Sequence, residues 1–302
     1  APGRFANKTV LVADTERKIG ASRVTNAEEA AQALAYLGRG AVERFDALVT
    51  DADGKPLAIV GSFKGAIAQT SVFPATLTGE AFRVPGAAHL WMAHNHPSGN
   101  PQLSNADISM TRNLGEVFRG SQIQLHGLFA ISGSAPGAAR LWTLVNPYTE
   151  EQTTGTAASG KEGVTVPAVD RVYSEKGQLG PAITSPAAAR SVIPRIAGGR
   201  SGVVLLDSQM VPVGFVPLQA SEMGELRRDG RMDAMYRAIS MANPAAAIFI
   251  NQQNAYTDRQ VRNAAGLLNS LDVSVSHVRD TNCAAVRSWA GQGDTFSGTK
   301  FN

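Results

Sequence analysis

The chain holds a single cysteine among 302 residues. One thiol forms no internal disulfide and builds no paired-cysteine metal site, so any metal here is held by histidine and carboxylate. Charge is also sparse. Charged residues make up 18 %, with 28 Lys+Arg set against 25 Asp+Glu for a net charge of +3. The basic residues are scattered, and no cluster argues for nucleic acid. No apolar stretch approaches the ~18 residues needed to span a membrane. The opening Ala1-Pro2-Gly3-Arg4 lacks a hydrophobic signal core and a starting Met, which reads as a processed product or an excised piece. The expectation is a soluble, cytoplasmic protein.

With 30 Gly, 15 Pro and 43 % hydrophobic residues, a collagen-like, low-complexity or disordered chain is excluded. The length suggests two domains of about 150 residues, each able to bury a full core.

The same order of elements can be read twice. Leu48-Val49-Thr50-Asp51 leads to Pro56-Leu57-Ala58-Ile59-Val60, and Val204-Leu205-Leu206-Asp207 leads to Pro212-Val213-Gly214-Phe215-Val216. Both patterns are strand, polar turn, strand, a hairpin. Helices are expected before them at 27–37 and 187–196, opened by Thr25-Asn26 and by Thr184-Ser185-Pro186. Buried strands follow over Ala87–His94 and Ala245–Ile250, then helices at 105–118 and 258–270, then strands ending near His126 and His277. Thr9-Val10 and Thr165-Val166 keep the spacing, as do Asp14-Thr15-Glu16-Arg17 and Asp170-Arg171-Val172-Tyr173, which charged turns explain. Thr153–Gly160 is small and polar, and reads as a linker or an ordered surface loop. The expected domains are 1–150 and 151–302.

The chemistry concentrates in the first copy, at His94-Asn95-His96-Pro97-Ser98-Gly99-Asn100-Pro101-Gln102-Leu103-Ser104-Asn105-Ala106-Asp107. Alternate residues of a strand share a face, so His94 and His96 present two imidazoles together. Ser104 opens a helix and Asp107 lies one turn in. Two His and one Asp form a three-ligand set for Zn²⁺, with a fourth place for water whose pKa falls to about 7. Ser104 would hydrogen-bond that water or a developing oxyanion. Ser104-x-x-Asp107 is equally what a helix N-cap looks like.

His94-x-His96-Pro97-x-Gly99, followed by Ser104-x-x-Asp107, resembles the JAMM (MPN+/JAB) metallopeptidase motif, and His94-Asn95-His96-Pro97-Ser98-Gly99 is similar to its RadC branch. Phe63-Lys64-Gly65 and Thr70-Ser71-Val72-Phe73-Pro74 add to the likeness, which is strong over 25–133 and weak over 184–280. The resemblance implies an α/β (α+β-like) fold of tandem JAB/MPN, cytidine-deaminase-like domains, each a curved mixed β-sheet flanked by helices. It implies zinc held by His94, His96 and Asp107, Ser104 assisting, and hydrolysis of amide or isopeptide bonds in a protein or peptide substrate. It also carries a DNA-repair label, and similar domains occur within long proteins of plasmids and phages.

JAMM enzymes set a Glu on an upstream strand to take a proton from the metal-bound water. The expected stretch, Ile59-Val60-Gly61-Ser62-Phe63-Lys64-Gly65, has no carboxylate. Glu80 lies on a helix downstream, and Asp51 and Asp53 lie at the hairpin turn. The missing Glu leaves a zinc metallohydrolase, or a non-catalytic zinc-binding interaction module of a mobile-element or DNA-associated protein; a third reading, a DNA-associated accessory protein, has only the family label and the mild positive charge behind it.

In the second copy, Asn251, Gln253, Thr257 and Gln260 fall where His94, His96, Ser104 and Asp107 do. Neutral amides are poor zinc ligands, so no metal is expected there. A structural role is expected, pairing with the first copy or presenting a binding face. His89, His126 and His277 read as packing residues and Cys283 as a buried small residue. Gly198-Gly199-Arg200 lacks the Lys-Ser/Thr of a phosphate loop.

Overall fold

The computed structural model describes residues 3–13, 15–64, 73–133, 137–158, 163–169, 171–223, 232–278, 286–289 and 296–299. Gly65, Thr70–Val72, Asp14, Asp170 and Cys283 lie outside them. In chain order the elements begin with β1 (Arg4–Phe5), β2 (Lys8–Val12), β3 (Thr15–Ile19), α1 (Ala27–Leu34), β4 (Arg44–Thr50) and β5 (Pro56–Lys64). Next come α2 (Phe73–Arg83), β6 (His89–His96), α3 (Asn105–Arg119), β7 (Gln124–Ser132), β8 (Arg140–Val145), β9 (Gln152–Ala157) and β10 (Val164–Ala168). The remainder is β11 (Arg171–Glu175), α4 (Pro186–Ala197), β12 (Gly202–Leu206), β13 (Pro212–Pro217), α5 (Asp233–Ala242), β14 (Ala246–Ile250), α6 (Asp258–Asn269), β15 (Ser274–Val278), β16 (Val286–Trp289) and β17 (Phe296–Thr299). The α/β class expected from the sequence is what the chain adopts, in large mixed sheets with helices. Among the described residues no helix is long and apolar enough to cross a membrane.

The chain forms two compact units, Leu11–Val172 and Ala1–Val10 with Tyr173–Asn302. In the first, eight strands run in the order β3-β10-β5-β4-β6-β7-β8-β9. β4 pairs antiparallel with both β5 and β6, β6 pairs parallel with β7, and β7 antiparallel with β8. The interior strands are buried along nearly their whole length, β4 from Phe45 onward and β6 from Leu90 to Asn95. That is why they read as continuous apolar runs instead of alternating ones. α1 starts where Asn26 Oδ1 accepts from the Glu29 N–H at 2.9 Å, a side-chain cap for an otherwise orphaned donor. Its small apolar residues Ala30, Ala31, Ala33 and Leu34 pack in one cluster with Trp91, Ala93, Phe129, Ile131 and Trp142. By alternation, His94 and His96 are turned to the other face of the sheet.

In the second unit the order is β1-β13-β12-β14-β15-β16-β17. Its inner strands β13-β12-β14-β15-β16 pair with the same directions as β5-β4-β6-β7-β8. The turns agree in detail: Asp51 Oδ1 accepts from the Asp53 and Lys55 N–H groups, and Asp207 Oδ1 from those of Gln209 and Val211.

Three local expectations are corrected. Most of the stretch expected to be a linker or loop, 153–157, belongs to strand β9, antiparallel to β8. Its small residues make room for an aromatic ring, since a Cβ on Gly155 would stand 2.2 Å from Trp142 Cζ2. Thr15–Arg17 and Arg171–Tyr173 are strand, not turn. β7 starts at Gln124, so His126 stands near its beginning.

Candidate metal centre

β6 delivers the two histidines. It stops at His96 because Pro97 has no N–H to continue the ladder. The His96 carbonyl then accepts from Gly99 N at 3.0 Å and Gly133 N at 2.9 Å. Gly99 turns the loop at φ +83°, a conformation open to glycine. The two Nε2 atoms meet at 2.8 Å, with the rings 69° apart. His96 Nδ1 lies 2.7 Å from the Asn100 carbonyl, which in the neutral ring places the proton on Nδ1 and leaves the Nε2 lone pair directed inward. His94 is fully buried, and among the described residues its Nδ1 has no hydrogen-bond partner.

α3 brings the carboxylate. Ser104 Oγ accepts from Asp107 N at 3.1 Å, and Asp107 Oδ2 accepts from Ser104 N at 2.8 Å. This reciprocal capping box satisfies two helix-end donors. The same Oδ2 lies 3.5 Å from His94 Nε2. Burial pushes the Asp107 carboxyl upward, but His94 and the Ser104 bonds outweigh it and hold the group down at about 2. Ser104 itself is exposed, and its hydroxyl oxygen is engaged as the cap.

A second carboxylate arrives from the mouth of β4. Glu43, half-buried, offers a carboxylate oxygen, and this atom and one ring nitrogen each of His94 and His96 all lie within 4.8 Å of one another. The expectation of a missing upstream Glu is therefore corrected: a carboxylate stands beside both histidines, from the residue just before β4 and not from β5. β5 is separated from β6 by β4, so Ile59–Lys64 is not next to the histidines. Register explains Glu43. Phe45 lies opposite His94, so two residues back along β4 faces two residues forward along β6. Reading Glu43 from sequence would have required pairing β4 with β6, and no local pattern gives that pairing.

The remaining acids act elsewhere. Glu80 is buried on α2, where Oε2 accepts from Gly61 N at 2.5 Å, and burial lifts it to about 7. Asp51 holds the hairpin turn. His89 Nδ1 and His126 Nε2 are 2.9 Å apart, with the Trp91 ring stacked on His126 at 4.1 Å.

Two imidazoles with Nε2 atoms 2.8 Å apart, a Glu43 oxygen close to both and Asp107 3.5 Å from His94 suit a divalent ion. The outward Nδ1 of His96 on a main-chain carbonyl is the usual way a ligating ring is oriented. Residues 24–136 match the RadC-like JAB domain. That RadC-like segment contains Glu43, His94, His96, Ser104 and Asp107. The chain is similar to curated UPF0758 proteins. It is 36 % identical to one of Thiobacillus denitrificans over 93 residues, 31 % of this chain and 41 % of the relative. With one of Bordetella avium it shares 35 % over 111 residues, 36 % of this chain and 49 % of the relative. It thus spans less than half the length of these relatives. Both the RadC-like match and the large mixed sheets with helices agree with a JAB/MPN fold.

The second unit, beyond the RadC-like segment, fills the matching loop differently. Asn251 is buried, donating from Nδ2 to the Tyr256 carbonyl and accepting the Tyr256 N–H at Oδ1, both at 2.8 Å. Thr257 and Gln260 form the same capping box as Ser104 and Asp107.

Proposed function

We propose that the first unit is a zinc-dependent metallohydrolase of the JAMM type, cleaving amide or isopeptide bonds in a protein or peptide. The observation that carries this reading is the convergence of Glu43 on His94 and His96. His94, His96 and Asp107 would hold the ion. Bound zinc would supply Lewis acidity and a water ionised near neutral pH. Glu43 would accept the proton of the attacking water and return it to the leaving amine. Asp107, fixed by the Ser104 N–H, would keep its charge at every working pH. Ser104 would cap α3 and steady the developing oxyanion. Glu43 supplies the kind of carboxylate whose absence favoured the interaction-module reading, which supports the hydrolase.

The two units, Leu11–Val172 and Ala1–Val10 with Tyr173–Asn302, would be copies of one domain, the second without metal. The shared strand order supports this, as does Asn251, whose amide is spent on Tyr256.

The test is turnover of peptide and isopeptide-linked substrates by the zinc-loaded chain. Glu43→Gln, assayed at saturating zinc, should lower turnover about 10²–10⁴-fold. Wild-type protein that binds zinc and cleaves none of these substrates would end the enzyme reading.

A further inference from the structure

Glu43 sits in a short irregular segment between the 3₁₀ turn ending at Arg39 and the start of β4. That segment has little apolar anchorage, since Val42, next to Glu43, is 61 % exposed. Something else must fix the carboxylate beside the histidines.

Asn95 lies between the two histidines on β6, and alternation turns it to the opposite face. It is fully buried. Its Nδ2 donates to the Gly40 carbonyl at 3.2 Å and to the Val42 carbonyl at 3.1 Å. Its Oδ1 accepts from the Arg44 N–H at 2.6 Å. Both amide hydrogens and the oxygen are thus spent on the segment that carries Glu43, on both sides of it. The fit is close: a Cβ on Gly40 would stand 3.2 Å from Asn95 Nδ2.

We propose that Asn95 is the positioning residue that holds Glu43 at the metal centre, so that one strand supplies both imidazoles and the clamp for the facing carboxylate. The proposal rests on the metallohydrolase reading for its purpose, and its geometry stands apart from it. Because His94, Asn95 and His96 are consecutive, the clamp ties the position of Glu43 to the ligands through a few covalent bonds. Asn95 touches no reacting atom and acts only through the 40–44 backbone.

The experiment uses the full chain and two variants that attack the clamp from opposite sides, Asn95→Ala and Gly40→Ala, each with and without Glu43→Gln. Zinc affinity is read by chelator competition, and amide exchange of the segment 40–45 by mass spectrometry. In the wild-type background Glu43→Gln should weaken zinc binding about 10- to 100-fold, as loss of a supporting carboxylate does. In either clamp variant the same substitution should cost about threefold or less, because the carboxylate is no longer held. Exchange at the Arg44 amide should accelerate in the metal-free protein. An undiminished effect of Glu43→Gln in the clamp variants, or unchanged protection at Arg44, overturns the proposal. Wild-type protein that takes up no zinc defeats the metallohydrolase reading instead, and exchange at Arg44 then decides for or against the clamp.

Discussion

Phe45 of β4 lies directly opposite His94 of β6 in the antiparallel ladder. That register sets the chemistry of the first unit. It brings Glu43, just before β4, level with His96, which ends β6. It also puts Asn95 level with Arg44, whose N–H it accepts. A slip of one residue would turn Glu43 to the α1 face and separate it from both imidazoles.

Metal content tests the ligand set. The wild-type chain should carry one zinc, and His94→Ala or His96→Ala should carry none after dialysis, measured by elemental analysis against protein concentration. Asp107→Ala should weaken binding by at least tenfold. Two tightly held ions per chain would contradict the assignment of the second unit.

Ser104 and Thr257 form a matched pair of helix caps. Ser104→Ala and Thr257→Ala should each lower stability by about 1 kcal/mol, read from urea denaturation. Only Ser104→Ala should also slow hydrolysis. Equal hydrolysis by the two variants would confine Ser104 to capping.

Glu80 should make stability fall as pH rises. Burial lifts its carboxyl from 4.5 to about 7, so between those values the folded chain binds more proton than the unfolded one. Stability is then lost as pH rises through that interval. Glu80→Gln keeps an acceptor for the Gly61 N–H and carries no charge. It should exceed wild type by up to about 3 kcal/mol at pH 8 and match it near pH 4.5. The comparison is a pair of denaturant titrations at each pH.

Asp46 anchors a buried charge network on the face away from the histidines. It accepts from the Tyr36 hydroxyl and lies 3.4 Å from Arg17 Nε and 3.5 Å from Arg44 Nε. Burial raises its carboxyl, with Ser62, Tyr36 and Arg17 opposing. Asp46→Ala strands two cations and a buried hydroxyl, and should cost about 3–5 kcal/mol. Calorimetry at neutral pH checks it; a loss below about 1 kcal/mol would show that water replaces the carboxylate.

Local chemistry accounts for much of the first unit. The period-two spacing of His94 and His96, the Ser104–Asp107 helix start and the Asp51 and Asp207 turns depend on neighbours within a few residues, and their geometry follows from backbone rules alone. So do the apolar runs that became interior strands. Tertiary structure decided which strands stand side by side. Glu43 lies 51 residues before His94, and only the β4–β6 pairing brings its carboxylate to the imidazoles. The small polar residues of β9 resembled a linker because nothing local reveals that the Trp142 ring packs over Gly155. In both places the deciding contact joins residues distant in the chain, and such contacts are fixed by burial and register, which no short stretch of sequence encodes.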